Sequence, residues 1–155
     1  VGARWNELAD KAGERLGDVQ NLFTVPHLAM ALAAAGRDRA AERFLAALGE
    51  AAKADGLSSA ATLREVAIPL AAAVLAQRKG EHRRAVELME PIRHEVRRIG
   101  GSHAQRDLFT QMLLDAALKC GRTALARSIL AAEAKARPIP LGARRGYAAA
   151  ARLLQ

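Results

Sequence analysis

Hydrophobic residues recur along this chain with the spacing of amphipathic helices. In the first such stretch, residues 3–16, one helical face carries Trp5, Leu8, Ala12 and Leu16. The same periodicity predicts further helices over residues 26–35, 38–54, 59–78, 81–99, 102–119, 123–137 and 142–154. No run of β-branched positions alternates apolar and polar residues, so no strand is predicted. The pattern predicts an all-α protein of about seven to eight helices.

The prolines and the last helix refine this pattern. Pro26 suits the first turn of the second helix, whereas Pro69 lies inside the fourth and predicts a kink or a break there. Ser58 or Ser59 is expected to cap that fourth helix. Pro138 and Pro140 end the seventh helix. The closing helix is expected to cap the fold with an inward face of Tyr147, Ala150 and Leu153 or Leu154.

A glycine followed five residues later by an alanine occurs three times, at Gly36 and Ala41, Gly80 and Ala85, and Gly121 and Ala126. The glycine ends one helix, and the alanine lets the next helix pack closely on it. A large apolar residue follows each alanine, which is typical of tetratricopeptide repeats. The three glycines are 44 and 41 residues apart, against about 34 in regular repeats. We therefore expect one domain over residues 1–155, an irregular α-solenoid of antiparallel helix pairs.

Composition limits the core and the compartment. Hydrophobic residues make up 51% of the chain but aromatics only 3%, so the core must consist of Ala, Leu, Val and Ile. A single cysteine, Cys120, excludes an internal disulfide and favours a reducing compartment such as the cytoplasm. The longest apolar run, residues 66–76, is too short to span a membrane.

The net charge of +8 is concentrated near the end of the chain. No acid follows Glu133, whereas five basic residues do: Lys135, Arg137, Arg144, Arg145 and Arg152. A basic tail can bind nucleic acid, and Arg144 and Arg145 are the candidates here. The tail lacks interleaved aromatic residues and Gly-Arg repeats. We therefore favour a protein or peptide partner over nucleic acid.

The octapeptide from Gly100 to Asp107 has two interpretations. Structurally, the two glycines end a helix, and Ser102 with Gln105 forms a capping box for the next one. Functionally, His103, Arg106 and Asp107 form a polar binding cluster. Capping explains most of these residues, and we favour it.

The other candidate residues also have two interpretations each. Arg93, His94, Arg97 and Arg98 complement the negative end of a helix dipole, which we favour, or form a partner site. His27 is a hydrogen-bonded core histidine or points into a groove. The four histidines include no pair with the i, i+4 spacing of a helical zinc site, so neither a metal nor another cofactor is predicted.

From Trp5 onwards the chain resembles the C-terminal part of the tetratricopeptide repeat protein 38 family. The strongest similarity is the run Gly100 to Asp107. It continues downstream through Phe109, Leu113, Ala116-Ala117-Leu118, Ala126-Arg127, Leu130, Glu133, Arg137-Pro138 and Pro140. Upstream, the similar positions are Trp5, Asp18, Phe23, His27 and Met30.

The sequence also departs from this family. Thr24-Val25-Pro26 precedes His27 where the family has an acidic residue, and Ala134 replaces a basic one. The family's large N-terminal helical portion has no counterpart, so the resemblance implies that this chain corresponds to the C-terminal portion of a longer architecture. It implies a helical-repeat fold and a protein-interaction role, and no activity.

These observations predict a helical-repeat interaction module or scaffold that binds a peptide or protein in its groove. The expected partner-binding residues are His27, Arg93, Arg97, His103, Arg106 and Asp107. The alternative is an enzyme or small-molecule-binding subunit with a polar site around His27, His103, Arg106 and Asp107.

Overall fold

The computed structural model of the chain describes residues 4–15, 18–54, 56 and 58–153. These residues form eight α-helices and no strand, which confirms the all-α prediction. The helices are α1 (Arg4–Glu14), α2 (Thr24–Ala34), α3 (Asp38–Ala51), α4 (Ala60–Arg78), α5 (His82–Met89), α6 (His103–Lys119), α7 (Thr123–Ala136) and α8 (Ala148–Leu153). Two 3-10 helices span Val96–Ile99 and Leu141–Ala143. The predicted helix positions Ala3, Leu16 and Leu154 lie outside the described residues.

The three repeated glycine turns share one hydrogen-bond geometry. In each turn the glycine has a positive φ, and the next residue donates its N–H to the carbonyl five residues earlier. These bonds are Arg37 to Leu32 at 2.9 Å, Glu81 to Ala76 at 2.9 Å and Arg122 to Ala117 at 2.8 Å. This is the Schellman motif, which ends a helix by satisfying its last carbonyl groups. The turns join α2 to α3, α4 to α5 and α6 to α7, and the two helices of each pair pack together.

Helix α4 is the centre of the fold. It packs against α2, α3, α5 and α6. Its fully buried residues, at 0% exposure, are Leu63, Val66, Ala67, Leu70, Ala71 and Ala73. Small alanines on this helix let its neighbours approach closely. Within the described part of the chain, α4 alone is long and apolar enough to cross a bilayer, and half of that stretch is buried inside the fold.

Pro69 deforms α4, as its position predicts. Proline lacks an N–H and its ring collides with the carbonyl of the preceding turn. The helix adopts a wider π-helical turn over Leu63–Ala67, directly before Pro69. Such a turn accommodates the missing hydrogen bond without ending the helix.

The predicted helix over residues 81–99 is wrong. Helix α5 ends at Met89, because Pro91 cannot continue it. The chain then passes through turns into the 3-10 helix Val96–Ile99, which packs against the π-helical turn of α4. Arg93 and Arg97 consequently lie on an irregular connection rather than at the end of a long α-helix.

Two predicted inward faces also need correction. Leu8 of α1 is 47% exposed, and the buried residues of that helix are Ala9 and Ala12. The closing segment is not one helix, because the chain becomes extended at Arg144 between the 3-10 helix Leu141–Ala143 and α8. Tyr147 and Ala150 are buried as predicted, whereas Leu153 is 74% exposed.

Gly101 is expected to be the less replaceable of the two glycines before α6. Both have a positive φ, 92° at Gly100 and 77° at Gly101. A Cβ at Gly100 would meet no atom within 4 Å, whereas one at Gly101 would collide with the ring of Phe23. We expect Gly100→Ala to lower the free energy of unfolding by about 1–3 kcal/mol, because φ 92° with ψ −156° is a conformation essentially limited to glycine. Gly101→Ala should lose ~1–3 kcal/mol by overpacking in addition to its own backbone strain.

Urea unfolding of the two variants measures this difference, with Gly100→Ala as the matched control for backbone strain. Equal losses in the two variants would show that the contact between Gly101 and Phe23 does not constrain the fold.

Candidate functional site

A cavity of about 360 Å³ lies between the helix pairs α4–α5 and α6–α7. Residues three or four positions apart share one face of a helix. On α6 the lining residues are His103, Arg106, Asp107, Phe109, Thr110 and Leu113. On α7 they are Ile129, Ala132, Glu133 and Ala136, and Arg137 directly after the helix also lines the cavity. The remaining wall is built from Leu70 of α4, Met89 of α5, and Arg93, His94, Val96 and Arg97 of the connection after α5.

The lining divides into a buried apolar part and an exposed cationic part. The apolar end, in which no residue is more than 8% exposed, consists of Leu70, Met89, Val96, Phe109, Leu113 and Ile129. The cationic mouth, whose members are exposed or half-buried, consists of Arg93, His94, Arg97, His103, Arg106 and Arg137. This arrangement suits a ligand with an apolar part and a negatively charged part, because each part would meet a matching surface.

Three arginines of the cationic mouth have no acidic partner among the residues that the structure describes. Among the described residues, no carboxylate lies within ion-pairing distance of Arg93, Arg97 or Arg106. Arg93 donates through Nε to Nε2 of His94 at 2.8 Å. Arg137, in contrast, is paired with Asp107 at 3.3 Å. The mouth therefore carries positive charge that no neighbouring side chain neutralises.

The structure brings five of the six predicted partner-binding residues to this one cavity: Arg93, Arg97, His103, Arg106 and Asp107. They come from two separate segments of the chain. The bend after α5 is what places the first segment against α6. Spacing along the sequence indicated neither the bend nor the shared cavity.

His27 lies outside the lining of the cavity. Its Nδ1 donates to the carbonyl oxygen of Phe23 at 2.8 Å. Its ring packs against Phe23 and Phe109, with ring centres 4.6 and 5.5 Å away. Phe109 in turn lines the cavity. His27 is thus a half-buried, hydrogen-bonded histidine that packs against the edge of the core and does not line the cavity.

The octapeptide before and within α6 performs the predicted capping. Ser102 Oγ accepts from the N–H of Gln105 at 3.3 Å, and the Gln105 side chain accepts from the N–H of Ser102 at 2.8 Å. This reciprocal pair is the predicted capping box. Arg106 adds to it by donating to the carbonyl oxygens of Gly100 and Gly101. The same segment therefore shapes the helix start and contributes three side chains to the cavity.

Asp107 is the centre of a polar cluster that the sequence pattern did not indicate. Its side chain is 13% exposed. Oδ1 accepts from the Tyr147 hydroxyl at 2.7 Å and from Arg137 and Arg144 at 3.3 and 3.4 Å. Oδ2 accepts from Gln111 at 2.8 Å. We call these five residues the Asp107 cluster.

Arg144 links the Asp107 cluster to α7. Its guanidinium, only 9% exposed, donates to the Glu133 carboxylate at 2.7 Å and to the Glu133 carbonyl oxygen at 3.3 Å. It also lies over the ring of Tyr147, 4.0 Å from the ring centre. Arg144 therefore holds the closing segment against the fold and is not a free cation of a basic tail.

Burial and pairing shift two pKa values in this region. Burial and the hydrogen bond to Asp107 raise the pKa of the Tyr147 hydroxyl above its ordinary value. Burial alone would lower the pKa of Arg144, but the hydrogen bond and charge of Glu133 outweigh it and raise that pKa. Tyr147 thus remains a hydrogen-bond donor, and Arg144 a cation, at neutral pH.

No protein-family model and no solved structure matches this chain. The resemblance to the tetratricopeptide repeat protein 38 family stays a prediction. Within the described ranges, no group of three or more His, Cys, Asp or Glu side chains is placed to hold a metal ion.

The sequence pattern indicated no role at this cavity for Thr110, Glu133 or Arg137, and it indicated Arg144 only as a candidate for nucleic-acid binding. Thr110 lies one helical step beyond Asp107, so extending the face of α6 would have found it. Glu133 lies on α7, whereas Arg137 directly follows the helix in an extended conformation, so helical spacing does not relate the two. The pairing of Arg144 with Asp107 has no local signal.

Removing the Asp107 carboxylate is expected to destabilise the fold and release the closing segment. Asp107→Ala leaves the buried donors of Arg144 and Tyr147 without one acceptor, so we expect a loss of about 2–4 kcal/mol in unfolding free energy. Asp10→Ala is the control, because Asp10 is 67% exposed in its pair with Arg37 and should lose at most ~1 kcal/mol.

Urea unfolding measures both losses, and tryptic cleavage near Arg145 and Arg152 reports release of the segment. A loss in Asp107→Ala no larger than in Asp10→Ala would contradict the anchoring role.

Tyr147 is the only tyrosine in the chain, so its ionisation can be followed directly. Its pKa is raised in the folded protein above the unfolded value of about 10. The stability contributed by its protonated hydroxyl is therefore fully present below about pH 10 and is lost as the pH rises toward the folded-state pKa.

We expect tyrosinate absorbance to appear at higher pH in native than in urea-unfolded protein. In that interval the unfolding free energy should fall by up to about 1.4 kcal/mol per pH unit more in the wild type than in Tyr147→Phe. Coincident midpoints in the native and unfolded proteins would contradict the hydrogen bond to Asp107.

Proposed function

We propose that this chain is a helical-repeat interaction module, an irregular α-solenoid that binds a peptide segment of a partner protein between two helix pairs. The recognised segment carries an apolar side chain next to an acidic group. The observation that carries this proposal is that one cavity joins a buried apolar end to three arginines that have no acidic partner in the described part of the chain.

The packing of the helices supports the repeat architecture. Three helix–turn–helix pairs share the same turn geometry, and helices pack mainly against those one or two places away along the chain. Stacking of such units is how solenoids bury their apolar faces and leave grooves between repeats. The cavity lies at the junction of two of these pairs, where a groove is expected.

The chemistry of the cavity indicates the kind of peptide. Burying one Leu- or Phe-sized side chain in the apolar end contributes about 1.5–3 kcal/mol. A charge-assisted hydrogen bond from an arginine contributes about 1.5–3 kcal/mol. After the cost of association, a few such contacts give an affinity of micromolar order, as expected of a transient interaction.

The alternative, an enzyme or small-molecule site, would use His27 with His103, Arg106 and Asp107. His27 is bonded to the Phe23 carbonyl and lies outside the cavity lining. Asp107 has both carboxylate oxygens occupied by neighbouring side chains. The peptide-binding function therefore uses the available groups better. We propose the cytoplasm as its location, where the free thiol of Cys120 would remain reduced.

A peptide array tests this function. Peptides on a neutral Ser-Gly background vary one apolar and one charged position, and binding of the labelled full chain is measured. We expect signal only where Leu, Ile, Met or Phe accompanies Asp, Glu or another anionic side chain. Binding of peptides that carry only an apolar side chain, or only a basic one, would contradict the proposal.

Two pairs of variants locate the binding. Arg97→Glu should weaken binding at least tenfold, whereas Arg39→Glu makes the same charge change on an exposed residue away from the cavity. Ala132→Phe should fill the cavity and block binding, whereas Ala124→Phe adds the same bulk at an exposed position of α7 outside it.

A further inference from the structure

We infer that the acidic group recognised at the cationic mouth is a phosphate on a serine or threonine of the partner, rather than a carboxylate. This inference rests on the proposed function and specifies the ligand of the same cavity. It is carried by the charge balance of the lining.

The two acidic side chains of the lining are already neutralised. Asp107 is paired with Arg137 and Arg144, and Glu133 is paired with Arg144. Two carboxylates are thus matched by two guanidinium groups. The charges of Arg93, Arg97 and Arg106 remain, with no carboxylate of the described chain in ion-pairing reach.

A phosphate matches this excess better than a carboxylate does. A carboxylate supplies one negative charge, which leaves most of the excess uncompensated. A phosphorylated side chain carries about −1.5 to −2 charges at pH 7 and three strong acceptor oxygens. Arginine forks bind such oxygens with two parallel hydrogen bonds each. The positive end of the α6 dipole at His103 adds to the same field.

The shape of the cavity predicts the spacing within the peptide. The apolar end and the cationic mouth belong to one cavity, so both anchors must project from the same side of the peptide. In an extended peptide, side chains at positions i and i+2 point the same way, about 6.5–7 Å apart. The shortest motif that meets this requirement has an apolar residue two positions from the phosphorylated residue.

Fluorescence anisotropy with the full chain and five blocked peptides tests the preference for phosphate and the spacing. On one Ser-Gly background, the peptides contain pThr-Ser-Leu, Glu-Ser-Leu, Thr-Ser-Leu, pThr-Leu-Ser or the reversed order Leu-Ser-pThr. We expect pThr-Ser-Leu or its reverse to bind about tenfold more tightly than Glu-Ser-Leu. Thr-Ser-Leu and pThr-Leu-Ser should bind more weakly still.

Two variants test whether the preference for phosphate over Glu depends on the cationic mouth. Arg97→Gln should remove most of the tenfold preference for phosphate over Glu, and Arg39→Gln should retain it. Inorganic phosphate should compete with the phosphopeptide and with the Glu peptide, and it should raise both apparent dissociation constants by the same factor because both occupy the mouth.

The outcomes separate the inference from the function on which it rests. If Glu-Ser-Leu binds as tightly as the phosphopeptides, the phosphate inference fails and the acidic-peptide function stands. If neither these peptides nor those of the array bind, the proposed function fails as well. Binding to phosphatidylcholine vesicles only when they contain phosphatidic acid, without phosphopeptide binding, would overturn the inference in favour of a membrane surface.

Discussion

The carboxylate of Asp107 is the charge on which the C-terminal half of this fold depends. An anion that is 13% exposed keeps its charge only if hydrogen-bond donors replace the lost water. The chain supplies them from α6 itself, from the end of α7 and from the closing segment: Gln111, Arg137, Arg144 and Tyr147. One charged group thereby holds the segment that follows α7, whereas Pro138 ends the helix by favouring the extended conformation of Arg137. Apolar contacts are not directional and would fix the position of this segment less narrowly.

The same cluster determines the electrostatics of the candidate site. Asp107 and Glu133 line the cavity, yet their charges are matched by Arg137 and Arg144. The remaining arginines of the mouth are consequently left without an internal acid. Pairing of these largely covered carboxylates with arginines thus leaves a surface whose unpaired charge is positive. The site is cationic because the acidic residues of its lining are already paired with arginines, and not because the chain is basic on average.

How far the sequence predicts this structure depends on the range of the interaction. The glycine turns and the capping box of Ser102 and Gln105 are local, so residue types alone indicate them, and the structure has them. The break after Met89 is also local, and Pro91 signals it, although helical periodicity over residues 81–99 masks it. The bond from Tyr147 to Asp107 joins residues 40 positions apart. No periodicity encodes such a pair. The role of His27 likewise depends on a distant residue, because its ring packs against Phe109 of α6.

The positions of the basic residues, rather than their number, decide what the protein can recognise. The basic tail suggested by composition is partly internal, because Arg144 is 9% exposed and bound to acids. The arginines at the cavity differ, since they border buried apolar surface at Met89, Phe109 and Ile129. A low-dielectric wall strengthens the field of adjacent charges, while water and salt screen charges on an open surface. Under the proposed function, selectivity at this cavity requires an anion and an apolar group together, and a polyanion without an apolar anchor would gain only the screened, nonspecific part of the attraction.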